Sequence, residues 1–145
     1  MTRVDRSIDI KAPKEKIFEY VADIGNEGDW VKWAKDVRVT SLERAKVGAT
    51  DAMLMQVGPS KKRVEGIITE LVPDYTVARR LTFGMDFSER LSVVPVVDGT
   101  KLAWNVEYVP PGGGLGKLMD VVFMSMLLDQ LMGDSLEILK EKIEG

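Results

Sequence analysis

From Leu115 to Ile143 the chain runs without a proline, directly after its strongest breaker, Pro110-Pro111-Gly112-Gly113-Gly114. A run of that length, rich in Leu and Met, reads as one long helix. Its halves differ. Between Leu118 and Met132 only Asp120, Ser125, Asp129 and Gln130 are polar. Beyond Asp134 the pattern is amphipathic, with Glu137, Lys140, Glu141 and Glu144 opposite Leu136, Ile138, Leu139 and Ile143. A helix apolar nearly all round is buried on several sides, so the rest of the chain has to surround the first half.

What precedes it alternates with period two. Val4, Ile8 and Ile10 share one face of an opening strand, with Asp5, Ser7 and Asp9 opposite. Ala12-Pro13 stops that strand, and Pro13 suits the first turn of a helix that carries Ile17, Phe18, Tyr20, Val21 and Ile24 and ends at Gly25 and Gly28. A second short helix, capped by Asp29 and reaching Lys35, places Trp30 and Trp33 on one side.

From Asp36 onward the chain is a meander. Ala49 to Val57 points Met53, Met55 and Val57 to one face. Lys61 to Val72 permits two facings, one with Glu65, Ile67, Thr69 and Leu71 inward and one with Val64, Gly66, Ile68 and Val72 inward. Thr76 to Phe83 turns Val77, Arg79, Leu81 and Phe83 inward, and Phe87 to Val96 turns Phe87, Glu89, Leu91 and Val93 inward. After the hairpin turn Asp98-Gly99, Leu102, Trp104, Val106 and Tyr108 share a face. Consecutive hairpins make the sheet antiparallel, and only the C-terminal helix is long enough to cover it. The class is α+β: about seven strands, strongly curved around the last helix, with two short helices after the first strand, in one domain spanning 1–145.

Composition removes several functions. The chain has no cysteine and no histidine, which excludes thiolate chemistry, Ser-His-Asp nucleophiles and His-ligated zinc. No metal-ligand spacing occurs, and neither metal nor cofactor is expected. A net charge of −3 gives no basic field for nucleic acid. The first ten residues lack the apolar core of a signal peptide and no apolar run reaches spanning length, which favours a cytoplasmic protein without stable membrane insertion.

The ordered set of an opening strand, Ala12-Pro13-Lys14-Glu15-Lys16-Ile17-Phe18, Val21-Ala22-Asp23, Trp30 and Trp33, Glu70-Leu71-Val72-Pro73, and an Asp98-Gly99 turn before a Trp-bearing strand resembles the START and polyketide-cyclase (SRPBCC) superfamily. The resemblance covers nearly the whole chain and contains no catalytic motif. It implies the helix-grip fold and a cavity between sheet and helix for a hydrophobic molecule such as a lipid, quinone or polyketide.

The residues themselves offer an apolar, aromatic and Met-rich lining, which adapts to varied shapes. The candidate ligand-binding set is Trp33, Met53, Met55, Ile67, Arg79, Leu81, Phe83, Glu89, Leu91, Trp104, Val106 and Tyr108 from the sheet side, with Val121, Met124 and Leu128 from the helix. Arg79 and Glu89 break the apolar pattern. A connection at Gly84 to Asp86 places Phe83 opposite Phe87 and Leu81 opposite Glu89, so Arg79 lies diagonal to Glu89, within pairing reach. Such a pair orients a polar group of the ligand, and Glu65 joins it under the first facing of its strand. The same carboxylates are the candidate acid or base if the protein is a cyclase or dehydratase, with Tyr108 as hydrogen-bond donor. The competing reading is a filled core with the charges at an open end.

On the helix, Val121, Met124, Leu128, Leu131 and Met132 face the sheet, which leaves Met119, Phe123 and Met126 as an apolar patch. Packing beneath the Trp30 to Trp33 segment is the favoured cover. A homodimer contact and a membrane touch during ligand loading are the alternatives. The Pro110 to Gly114 segment is a natural gate by composition. The sequence thus points to a noncovalent carrier or sensor of a hydrophobic or amphipathic small molecule, with a metal-free cyclase or dehydratase as the alternative and a protein-interaction module through Met119, Phe123 and Met126 as a third reading.

Overall fold

A computed structural model describes residues 2–82, 86–109 and 115–145, with side chains in the last segment from residue 122 onward. The chain opens with strand β1 (Thr2–Ile10), helix α1 (Lys14–Ala22), a single 3-10 turn and helix α2 (Glu27–Trp30). Six strands follow: β2 (Ala34–Val39), β3 (Thr50–Val57), β4 (Ser60–Val72), β5 (Thr76–Thr82), β6 (Asp86–Val96) and β7 (Gly99–Val109). Helix α3 (Leu115–Glu144) closes the chain.

All seven strands form one antiparallel sheet in the order β1-β7-β6-β5-β4-β3-β2. The first strand pairs with the last because the meander curls until β7 reaches it, as in Val4 opposite Val106 and Ile8 opposite Leu102. The expected α+β architecture, a curved sheet gripping a C-terminal helix, is the architecture found. Alternation sets the inner face: Met53, Met55, Val77, Leu81, Phe87, Leu91, Val93, Leu102, Trp104, Val106 and Tyr108 are all buried. Leu128, Met132, Leu136, Leu139 and Ile143 recur every three or four residues along α3 and form its buried stripe. Each such side chain contributes roughly 1.5–3 kcal/mol on leaving water.

Four sequence expectations are corrected. The second short helix begins at Glu27 and stops at Trp30, because Val31 turns to extended backbone (φ −81°, ψ 114°). Trp33 therefore sits in the turn before β2, where it reaches the sheet. The first helix ends at Ala22, where Asp23 Oδ1 accepts a hydrogen bond from Gly25 N at 2.8 Å and starts the 3-10 turn. The open facing of β4 resolves with Val64, Gly66 and Ile68 inward and Glu65 outward, so Ile67 lies on the outer face, 39% exposed, and is no part of an interior lining. Between β5 and β6 the connection comprises residues 83–85, which pairs Thr82 with Asp86 and Leu81 with Phe87. Moving a connection back by one residue moves every cross-strand partner by two. The inner set is unchanged, but Arg79 stands directly opposite Glu89.

The favoured cover for the helix patch is also overturned. Trp30 and Trp33 are buried in the core, whereas Phe123 and Met126 remain 58% and 66% exposed. Of Met119, only its place in the α3 backbone is described.

Candidate functional site

Arg79 projects inward from the middle of β5 and gathers three buried carboxylates. Its Nη1 donates to Glu27 Oε1 of α2 and, at 3.4 Å, to Glu89 Oε1 of β6. Its Nη2 donates to Asp51 Oδ1 of β3 at 2.5 Å. Glu89 Oε2 accepts a further hydrogen bond from Trp104 Nε1 at 3.1 Å. Both Arg79 and Glu89 are under 5% exposed, so the network lies inside the molecule rather than at an open end.

One strand position makes this geometry possible. Gly66 faces Asp51 across one ladder and Leu81 across the other. A Cβ at Gly66 would overlap the Arg79 guanidinium, the Asp51 carboxylate and the Leu81 side chain. The absent side chain is the space in which the ion pair sits.

Three carboxylates around one cation leave excess negative charge in a dry place, which is costly. Burial, reinforced by the charge of Glu89, pushes Asp51 up to about 7. Burial also raises Glu89, against the opposing pull of Arg79 and the Trp104 hydrogen bond. Burial pulls Arg79 down while Glu89 pushes it back up, and the guanidinium stays a cation. The network thus holds a proton on its carboxylates near neutral pH. Asp51 Oδ2, Glu27 Oε2, Arg79 Nε and Trp30 Nε1 are buried and have no hydrogen-bond partner among the described residues.

An aromatic wall screens the network from water. Trp104 lies between Trp30 and Trp33, with ring centroids at 5.1 Å to each, and Trp33 meets Phe87 edge-on at 5.8 Å. The rest of the inner face is apolar: Met53, Met55, Leu81, Leu91 and Val106 from the sheet and Leu128 from the helix are at most 4% exposed. Met124 and Leu127 are half-buried against this surface. Within the seam between sheet and helix, the Tyr108 hydroxyl and Ser125 Oγ share a hydrogen bond of 2.5 Å.

The structure thus brings together Trp33, Arg79, Glu89, Trp104, Met53, Met55, Leu81, Leu91, Val106, Tyr108, Met124 and Leu128 from the sequence-derived set. Phe83 and the side chain of Val121 lie outside the described residues, and Ile67 faces away. Glu65, on the outer face, does not join Arg79. The buried lining side chains expose almost none of their surface, so they are packed against one another. A hollow of about 470 Å³ lies on the outer face of β5 to β7, among Arg80, Ser88, Arg90, Asn105 and Glu107. Asp51 and Glu27 were missed by sequence reasoning. Asp51 stands two residues before Met53, so the alternation that turned Met53 inward also turns Asp51 inward. No sequence signal marked Glu27, whose position depends on where α2 begins.

Comparison with known proteins gives concordant results. The family model described as "Polyketide cyclase / dehydrase and lipid transport" matches residues 1–144. Among solved structures, the Zhui aromatase/cyclase from Streptomyces sp. R1128 superposes with a TM-score of 0.82 at 14% identity, covering 99% of this chain and 93% of that one. A protein from Thermus thermophilus gives 0.79 at 16% identity, covering 98% and 97% of the two chains. A START superfamily protein from Mycobacterium smegmatis gives 0.66 at 17% identity, covering 99% and 94%. At these identities the likeness establishes the fold alone. No curated protein sequence matches the chain.

Proposed function

Since the chain belongs to the polyketide cyclase / dehydrase and lipid transport family, we propose that it binds a hydrophobic or amphipathic small molecule, noncovalently, between the concave sheet face and the first half of α3. The observation that carries this reading is the seam itself. Apolar, Met-rich surfaces meet there around one hydroxyl pair, Tyr108 and Ser125. An apolar ligand entering the seam replaces side-chain contacts, and its hydroxyl or carbonyl exchanges into the Tyr108 hydrogen bond. Entry requires the helix segment around Met124 to Leu131 to part from the sheet, since the lining is packed in this structure. Met side chains re-pack easily around whatever enters. The buried Arg79 network stabilises the shape of the site.

Native mass spectrometry of the gently purified chain tests the reading. A retained small molecule, released by organic extraction and held about tenfold more weakly by Tyr108→Phe, is the expected result. A chain that arrives empty, and that binds no anilinonaphthalene sulfonate in a Tyr108-dependent way, would sink it.

A second reading, an enzyme of the cyclase or dehydratase kind, is supported by Asp51. A buried carboxyl held near pH 7, on the same strand face as Met53, is suited to passing a proton. This reading needs a substrate oxygen to reach Asp51 Oδ2. Turnover of a β-ketone substrate lost in Asp51→Asn while binding persists would favour the enzyme over the carrier.

A further inference from the structure

The exposed apolar strip on α3 lies beside a cluster of basic residues. Val122, Phe123 and Met126 are each more than half exposed. Phe123 lies one turn before Leu127 on the same strip of the helix, and Leu127 Cδ1 rests against Gly58 in the turn between β3 and β4. Immediately beyond that turn stand Lys61, Lys62 and Arg63, all exposed. None of the three joins an ion pair among the described residues. Several other surface arginines are paired, as in Arg90 with Glu70 and Arg44 with Asp23. A chain of net charge −3 thus places three consecutive basic residues at the corner where it also exposes an aromatic ring and a methionine.

We propose that this corner, made of the β3–β4 hairpin and the outer strip of α3, docks on an anionic lipid surface. Phe123, Met126 and Val122 enter the interfacial region, and Lys61, Lys62 and Arg63 meet the headgroups. A second copy of the chain fits the corner less well. A two-fold contact through α3 brings the basic hairpins of both copies together. The described apolar side chains also cover far less than the ~800 Å² per partner of a stable interface. Among the described residues no helix is long and apolar enough to cross a bilayer. The docking corner adjoins the helix segment whose displacement admits the ligand, so the surface that binds the membrane is also the one that opens.

Flotation with vesicles of phosphatidylcholine and phosphatidylglycerol in equal parts, beside vesicles of phosphatidylcholine alone, tests this. The chain floats with the anionic vesicles only, and high salt releases it. Combined Lys61→Glu, Lys62→Glu and Arg63→Glu weakens the partition about a hundredfold. Phe123→Ser with Met126→Ser weakens it about tenfold at every salt concentration. These side chains are exposed, and a thermal melt confirms that each variant folds; milder Lys→Gln changes replace the charge reversal if it does not. Equal flotation with neutral vesicles, no flotation, or unchanged binding in the folded charge variant overturns the proposal. So does a concentration-dependent dimer abolished by Phe123→Ser. Flotation needs no cavity ligand, so its failure leaves the proposed function standing, and an empty cavity leaves the docking surface standing.

Discussion

The two halves of α3 are continuous in the backbone and opposite in their attachments. The second half buries Leu136, Leu139 and Ile143 and is tied by hydrogen bonds on both sides. Ser135 Oγ accepts from Lys32 N at 2.9 Å, Lys140 Nζ donates to the Asp9 carbonyl at 2.6 Å, and Glu144 accepts from Lys11 N at 2.9 Å. The first half, over the apolar seam, has Leu128 fully buried but Met124, Leu127 and Leu131 only half-buried, and it turns Phe123 and Met126 to solvent. Several directional hydrogen bonds fix one geometry, whereas half-buried apolar contacts around the Tyr108–Ser125 hydrogen bond tolerate more than one. One half is built as an anchor and the other as a cover that can shift.

The same contrast extends into the sheet. The end beneath α2 is held by the Arg79 network and three tryptophans, and the end beneath the first half of α3 by methionines and leucines. Four measurements break or sharpen this comparison. Arg79→Met leaves Glu27, Asp51 and Glu89 buried without their cation and should cost about 3–5 kcal/mol in a urea titration, the largest loss expected. A loss near zero would place the rigid end elsewhere.

The next effect is a pH dependence. Asp51 is raised from its ordinary 3.8 to about 7 in the folded chain. Its protonated form therefore adds stability that is complete below about pH 4 and gone once the pH passes about 7. Asp51→Asn should remove that slope, worth a few kcal/mol across the window, and a difference curve of the two proteins reads it. A flat difference would show that the proton resides on another group. Gly66→Ala follows, at about 1–3 kcal/mol, because the added methyl must displace the guanidinium or the Asp51 carboxylate. The smallest effect belongs to the opposite end: Phe123→Ser should change stability by no more than about 0.5 kcal/mol, since the ring packs against solvent. A larger loss would mean that the first half of α3 is as firmly seated as the second.

Much of the fold was legible because period-two alternation holds along most of the strands. Met53, Leu81, Phe87, Leu91, Trp104 and Tyr108 face inward as their spacing required. Where alternation permits both faces, as in β4, the sequence was silent, and Ile67 fell on the wrong side. Glycine was the missing clue. Gly66 has an inward address but no side chain, so it contributes nothing to a hydrophobic count, yet it is the residue that makes room for Arg79. The Arg79 to Glu89 pairing was found with the wrong register, since a one-residue change in the connection leaves every face intact. Trp33 was expected in the interior lining on the sheet side and is buried, whereas the Trp30 to Trp33 segment was also expected to cover the helix patch and does not. Both tryptophans serve the sheet interior, because α2 ends at Trp30 and the turn beyond it carries Trp33 inward.

By itself the sequence determined the class, the order of elements and which side of most strands is apolar. Those properties rest on local periodicity, and each strand or helix carries its own. Tertiary structure alone decided that Glu27 from α2 and Asp51 from β3 share one cation with Glu89, and that Phe123 and Met126 stay in water beside a basic hairpin. Both depend on distances between elements remote in the chain. Such distances follow from how far the sheet curls before its last strand meets its first, and no single segment encodes that curvature.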